Sequence, residues 1–356
     1  PRSCCDSLMQ KGLSLSDFED ELRALGAGPR HIRRIYRAWL GLGPWEAKDS
    51  ARYPAALEAK LTEIRNRLTK LTQVLPVKSE QAESLKLIVG LSDGECIESV
   101  LLPRRALCVS TQVGCAVGCR FCMTGKGGLV RQLGSAEIVA QVVEALKIRP
   151  DIKKVVMMGM GEPSHNLKEV LEAVNFLGDV LGLAHKEIVV STVGDPRLFD
   201  AIRTNGVHPA VALSLHTTDD MKRRELLPKA PKIPAADLLA MTLDYAESTK
   251  YPAQIEWTLI EGVNDSAREV ECLAELIKGR YAMVNFIAVN PVEGTGFKRP
   301  SNAHMQDLIT ILRRQGIIAT IRDSAAQDIE GGCGQLRARV LEINRQIEQC
   351  SDENKN

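Results

Sequence analysis

Residues 108–125 read CVSTQVGCAVGCRFCMTG, four cysteines within fifteen positions, and what these thiols hold decides how the rest of the chain is read. Cys115, Cys119 and Cys122 follow a C-x3-C-x2-C spacing. A structural zinc takes four ligands, commonly as two C-x2-C pairs. No partner pair and no His-x3-His follows this loop. A disulfide framework belongs to small secreted domains, whereas this is a chain of 356 residues with its cysteines clustered in one loop. Three thiolates on one short loop suit three irons of a [4Fe–4S] cluster, the fourth iron lacking a protein ligand. The pattern therefore favours a cluster over zinc, and zinc over a disulfide knot.

Outward from this loop the chain alternates strand and helix. Apolar strand candidates lie at 106–110, 153–159, 187–192, 209–215, 253–259 and 283–289, with a further one at 317–322. Between them stand amphipathic stretches such as SAEIVAQVVEALKI (135–148) and VECLAELIKG (270–279). Six or more βα units imply a parallel sheet, open or curled into a full or partial barrel. Upstream, LKLIVGLSDGECIESVLLP (85–103) holds two β-type runs around Asp93-Gly94, a hairpin signal. PVKSEQAE (76–83) reads as a linker, and residues 13 to about 74 read as helical, with Ser16 and Glu19 as a capping box. Ile32, Ile35, Tyr36 and Trp39 share one helical face, and Arg30, Arg33, Arg34 and Arg37 another. Four guanidiniums in a stripe suit phosphates; the same stripe is also how a solvated basic face looks.

Bulk composition excludes little else. Net charge is +1 and 44% of residues are hydrophobic, enough for a large core. No stretch approaches the roughly 18 apolar residues of a membrane span, and PRSCCDSLMQ lacks a signal-peptide layout. The expectation is a soluble cytoplasmic protein.

Polar groups gather at the carboxyl ends of the strands, where α/β folds build sites. VVMMGMGEP delivers Gly161 and Glu162; IVVSTVG delivers Ser191; VALSLH delivers Ser214 and His216; FIAVNP delivers Asn290. Glycines 159 and 161 would allow close backbone approach to a ligand. Any one of these groups could merely cap a helix or fill a polar corner; together, on the rim that carries the cysteine loop, they form a cofactor pocket. Cys333 alone would read as packing, although Gly331, Gly332 and Gly334 surround it with flexible backbone.

The C-x3-C-x2-C spacing resembles that of radical S-adenosylmethionine (SAM) enzymes, with Phe121 where they carry an aromatic residue near the adenine. More narrowly, LCVSTQVGCAVGCRFCMTG, VVMMGMGEP, ALSLH, VNP and DIEGGCGQL resemble the RlmN/Cfr family of radical-SAM RNA methyltransferases, and within it the RlmN type, over the whole chain. The resemblance implies a radical-SAM partial (β/α)6 barrel spanning 105–349, an N-terminal helical accessory domain (1–76) that binds RNA, a linker and β-hairpin extension (77–104) and a frayed tail (350–356). It implies methylation of adenosine carbon-2 in 23S rRNA and tRNA with two SAM molecules per turnover. Cys115, Cys119 and Cys122 would hold the [4Fe–4S] cluster. Gly161, Glu162, Ser191, Ser214, Leu215, His216 and Asn290 would bind SAM. One SAM would methylate Cys333; a 5′-deoxyadenosyl radical from the second would take a hydrogen from that methyl group, and the carbon radical would add to the base. Glu98 would remove a proton, and Cys108 would release the product, leaving a Cys108–Cys333 disulfide. Lys222, Arg223 and Arg224 would help hold RNA, a flavodoxin system would supply electrons, and the chain would act as a monomer. Cys4, Cys5, Cys96, Cys272 and Cys350 read as structural or incidental. A Cfr-like carbon-8 methyltransferase shares the cysteines, and a non-catalytic metal-binding RNA-assembly factor is the alternative from another class.

Overall fold

A computed structural model describes residues 12–46, 52–80, 83–290, 292, 294–322 and 329–336. The tail, Cys4, Cys5 and Cys350 lie outside the described residues. Three helices come first, α1 (Leu15–Ala24), α2 (Pro29–Trp39) and α3 (Ala55–Thr69), then an antiparallel trio, β1 (Thr72–Lys78), β2 (Leu85–Leu91) and β3 (Cys96–Leu102). β4 (Ala106–Cys108) opens the parallel array. After it come a small ribbon, β5 (Gln112–Gly114) and β6 (Leu129–Gln132), and the short helix α4 (Met123–Lys126) between its strands. The array continues as α5 (Ser135–Ile148), β7 (Lys154–Met157), α6 (Leu167–Phe176), β8 (Ile188–Thr192), α7 (Pro196–Thr204), β9 (Ala210–Ser214), α8 (Asp220–Leu226) and α9 (Ala235–Thr249). It ends with β10 (Ala253–Leu259), α10 (Ala267–Ile277), β11 (Ala282–Ala288), α11 (Asn302–Arg314) and β12 (Ile318–Arg322).

The ten-stranded sheet runs β1-β2-β3-β4-β7-β8-β9-β10-β11-β12, parallel from β4 onward. The parallel strands add one after another in chain order without the reversal of a doubly wound sheet, which is the order of a curling, partial barrel. Each strand presents its carboxyl end to the same rim. Among the described residues no helix is long and apolar enough to cross a membrane.

Two local readings are corrected. Residues 72–78 are not helix and linker but strand β1, paired antiparallel with β2 from Thr72↔Leu91 to Lys78↔Leu85. Their burial alternates only weakly, as suits an edge strand with one face on solvent, so polarity imitated a linker. Ser16 is not a helix cap either. Ser14 is the N-cap of α1, and Ser16 sits in the first turn, its amide donating to Glu172 Oε2, while Glu19 pairs with Arg23.

The N-terminal helices have no core of their own. Ile32, Ile35, Tyr36 and Trp39 are all buried, and they join one cluster with hairpin residues and the first strands of the barrel. Each such side chain contributes roughly 1.5–3 kcal/mol when fully buried. The Tyr36 and Trp39 rings meet Phe176 edge-on, at 5.0 and 6.0 Å. The Leu15 amide donates to Ser135 Oγ at 2.7 Å, so α1 is also tied by hydrogen bonds to the start of α5.

The hairpin is anchored by a buried polar network. Gln141 accepts from Ser99 Oγ and the Ser110 amide, at 2.6 and 2.8 Å, and Ser110 Oγ donates to the Glu98 carbonyl at 2.6 Å. Glu98 itself is no solvated carboxylate: it is buried, with Lys86 Nζ 3.2 Å from Oε1 and both side chains nearly inaccessible. Removing one partner of such a pair leaves an uncompensated buried charge. Lys86→Met is therefore expected to cost about 3–5 kcal/mol, read as a lower urea midpoint, while adding Glu98→Leu recovers most of the loss. A single variant as stable as the parent would refute this.

Candidate active site at the barrel rim

A cavity opens at the carboxyl ends of the parallel strands. Cys115, Cys119 and Cys122 line it together with Gly161, Glu162, Ser191, Ser214, His216 and Cys333. Leu215, Asn290, Cys108 and Glu98 are not among its walls. Among the described residues, no three His, Cys, Asp or Glu side chains converge as the ligands of one metal ion. The three thiols are nevertheless electrostatic neighbours: burial pushes Cys115 up to about 12 and Cys119 well above its usual value, and Cys122 adds to both. Separate thiols around a shared space fit a multi-iron cluster, in which each cysteine binds its own iron as thiolate.

The wall opposite the cysteine loop is tied strand to strand. Glu162 accepts from Thr192 Oγ1 (2.7 Å) and the Val193 amide (3.1 Å), so a buried carboxylate joins the end of β7 to that of β8. Burial raises its pKa. Ser191 and Ser214 lie hydroxyl to hydroxyl at 3.3 Å. His216 has a left-handed φ of 66°, its Nδ1 accepts from the Thr258 amide at 2.9 Å, and its ring meets Phe121 edge-on at 4.8 Å. That bond assigns the proton to Nε2. Burial, helped by the nearby Arg223 charge, lowers its pKa to about 3, so the ring is neutral at pH 7.

The glycines also serve the packing of the fold. A Cβ on Gly159 would stand 2.7 Å from the Val109 carbonyl oxygen, and one on Gly161 (φ 106°) 2.7 Å from Gln112 Cβ. Both line the cavity, but their missing side chains admit the β4–β5 connection. Arg223 does not face RNA. It is buried, and its Nη2 donates to the carbonyls of Val193 and Ser214 (2.7 and 3.2 Å), clamping the strand ends. Lys222 is paired with Glu269 at 2.8 Å.

Cys333 reaches this site from over two hundred residues away. Its loop docks on the cysteine loop: the Met123 amide donates to the Gly334 carbonyl at 2.7 Å, and Thr124 Oγ1 to the Leu336 carbonyl at 2.6 Å. Asn290 Nδ2 holds the Cys333 carbonyl at 2.8 Å, so Asn290 is placed as a tether of this loop. Cys333 retains solvent exposure, yet burial of its thiol and the charge of Glu256 push it up to about 11. Cys108 is pushed to about 12, by burial and then by the proximity of Cys333. Both are free thiols in this structure, so the Cys108–Cys333 disulfide is not formed. The β3–β4 register pairs Val100 with Cys108, which puts Glu98 and Cys108 on one face as diagonal neighbours.

Gly334 has φ 79°, and a Cβ there would lie 2.9 Å from the Phe121 carbonyl oxygen. A left-handed alanine costs about 1–2 kcal/mol. Gly334→Ala is expected to loosen the dock and speed hydrogen exchange at the Met123 amide about fivefold or more. Unchanged exchange would show that the loop does not depend on this glycine.

Sequence reasoning missed Glu256. It stands in AQIEWTL (253–259), a strand buried at every position, lines the cavity and is 1% exposed. A lone carboxylate in an otherwise apolar central strand was the available signal. Lys86 was missed for a similar reason, as a lysine beside LIVG in a hairpin reads as solvated.

Residues 109–271 match the Radical SAM superfamily. The chain is 49% identical over 336 residues to a probable RNA methyltransferase of Chromobacterium violaceum, covering 93% of this chain and 95% of that protein. It is 50% identical over 334 residues to a probable RNA methyltransferase of Aromatoleum aromaticum, covering 92% and 93%. Among solved structures, a radical SAM methyltransferase from Sphaerobacter thermophilus superposes with a TM-score of 0.79 at 35% identity, over 91% of this chain and 98% of that one.

Proposed function

The chain belongs to the radical SAM RNA methyltransferases, whose cofactors are a [4Fe–4S] cluster and SAM, and on that premise we propose that it methylates carbon-2 of adenosine in 23S rRNA and tRNA through a methyl group carried on Cys333. The observation that carries this reading is the docking of the Cys333 loop against the cysteine loop, with a second free thiol, Cys108, beside it. Direct transfer of a SAM methyl to a nucleophile needs neither thiol. Adenine carbon-2 has no lone pair to attack a methyl sulfonium, so a carrier is required.

In this reading Cys115, Cys119 and Cys122 hold the cluster. The walls around Gly161, Glu162, Ser191, Ser214 and His216 receive SAM, with Leu215 and Asn290 behind them. The bound cluster and SAM supply the one-electron chemistry that activates a C–H bond, with two SAM molecules consumed per turnover. Cys333 gives up its thiol proton and bonds to the methyl carbon of one SAM as the methyl–sulfonium bond breaks and S-adenosylhomocysteine leaves; after that methyl group loses one hydrogen atom, Cys333 presents its carbon to the base. The Glu98 carboxylate, held by Lys86, takes the proton from carbon-2. Cys108, as thiolate, then attacks the Cys333 sulfur; as the disulfide forms, the electron pair of the carrier's sulfur–carbon bond goes to the carbon, which takes up a proton to become the methyl group, and the methylated base leaves. An external reductant, such as a flavodoxin system, then restores both thiols and supplies electrons to the cluster. A monomer suffices, since all these groups come from one chain.

RNA is held in part by α2, where Arg30, Arg33 and Arg37 are exposed and Arg34 lies over the Tyr53 ring at 5.6 Å. Replacing Arg30, Arg33 and Arg37 by alanine is expected to weaken RNA binding and flatten its salt dependence. Binding unchanged at several salt concentrations would remove α2 from the interface.

GMGEP, ending in Pro163, resembles the RlmN type more than Cfr-like sequences, and that resemblance favours carbon-2 over carbon-8. The deciding experiment incubates the anaerobically reconstituted protein with SAM, reductant and a 23S rRNA fragment or tRNA, then locates the methyl group on isolated adenosine. Carbon-2 methylation supports the proposal, and carbon-8 methylation makes the chain Cfr-like. RNA binding without methylation by a cluster-loaded protein would leave an assembly factor.

A further inference from the structure

A row of polar side chains crosses the barrel interior at one level. The strand register pairs Ser214 with Glu256, Glu256 with Asn285, and Asn285 with Thr320, on β9, β10, β11 and β12. The row is oriented from its far end. Thr320 Oγ1 donates to Asn285 Oδ1 at 2.9 Å, which turns the amide so that Nδ2 donates to Glu256 Oε1 at 2.7 Å. The other carboxylate oxygen, Oε2, is buried with no hydrogen-bond partner among the described residues, on a residue that lines the cavity. On its near side the row continues through Ser214 to Ser191.

A buried carboxylate oxygen without a donor carries a desolvation cost that folding leaves unrecovered. Among the described residues no donor reaches this oxygen, so the donor comes from what enters the cavity. We propose that Glu256 is a binding residue for the ribose of bound SAM, its Oε2 accepting from the 2′- and 3′-hydroxyls beside the Ser191–Ser214 pair. This rests on the reading that SAM occupies the cavity. A pair of adjacent hydroxyls matches a carboxylate flanked by serine hydroxyls better than the methionine ammonium does. The ammonium belongs near the three cysteines and Glu162, which lies beyond the end of β7, three strands from β10, and is tied to β8. The Arg322 charge and the Asn285 bond both favour the anionic acceptor, opposing the burial that raises its pKa.

Glu256→Gln tests the assignment sharply. Asn285 Nδ2 would still claim an oxygen, so the new amide would turn its NH2 toward the ligand and the open acceptor would be lost. The measurement is equilibrium binding of SAM and of its 2′,3′-dideoxy analogue to the full-length, cluster-loaded protein under anaerobic conditions. The parent is expected to prefer SAM by about tenfold, the size of one hydrogen bond to a charged group. The variant is expected to bind SAM about tenfold more weakly than the parent does, with no further loss for the analogue. A merely structural role would weaken both ligands alike and would overturn the proposal. If the variant fails to load its cluster, the parent decides: equal affinity for both ligands overturns the ribose assignment while SAM binding itself stands. Should SAM not bind the parent at all, the reading of the cavity falls together with this inference.

Discussion

Cys122→Ala, like Cys115→Ala and Cys119→Ala, is expected to abolish methylation and to leave protein with almost no iron or sulfide after anaerobic reconstitution. Three thiolates are the whole protein ligand set of the proposed cluster, and the loss of one leaves two irons of the cube without protein ligands. The loss should be confined to the site. The three cysteines belong to two small satellite clusters with Phe121, Val117 and Val193, separate from the two large cores. The metal-free variants should therefore unfold at the same urea midpoint as the metal-free parent. A variant that retains the parent's iron content and visible absorption would remove that cysteine from the ligand set.

The second large effect concerns the carrier and its partner, which should fail at different points. Cys333→Ala is expected to bind SAM and load its cluster as the parent does, yet to yield no methylated adenosine. Its side chain touches none of the ties that hold the loop, which run through the carbonyls of Cys333, Gly334 and Leu336. Cys108→Ala removes only the resolving thiol, so methylation should stop with the RNA still joined to the protein. The expected signature is a slow-migrating, nuclease-sensitive band on a denaturing gel, absent from the Cys333→Ala lane. Full methylation by Cys333→Ala would make this residue a packing thiol and would end the carrier mechanism.

Strand positions and the order of the barrel were legible because a parallel sheet covered by helices on its outer face makes continuous apolar runs punctuated by amphipathic ones. β10 occupies the expected span, and the others differ from theirs by a few residues. β1 escaped because an edge strand needs only one apolar face. The cysteine loop was legible for another reason: its three thiols are local, so their spacing stands directly in the chain. Glu98 and Cys333 lacked such a local signature, and their roles came from family resemblance.

The basic residues 222–224 illustrate the limit. As letters, Lys222, Arg223 and Arg224 form one basic run; as side chains, one is ion-paired to Glu269, one is buried against the strand ends, and one is exposed. A helix turns 100° per residue, so neighbours in sequence face different surroundings, and nothing in the run itself says which face is inward. The same holds for Glu256, whose open oxygen depends on an amide on β11 that is turned in its place by a hydroxyl on β12.

The sequence by itself determined the βα array, the grouping of Cys115, Cys119 and Cys122 on one short loop, and the rim on which the polar residues gather, because periodicity and short-range spacing encode these locally. Tertiary structure alone decided that Glu98 is buried on Lys86, that Asn290 tethers the Cys333 loop, and that Glu256 faces the cavity with one oxygen unmet among the described residues. Each of these depends on contacts between segments far apart in the chain, where burial and hydrogen-bond satisfaction, set only once the strands are in register, choose the partner.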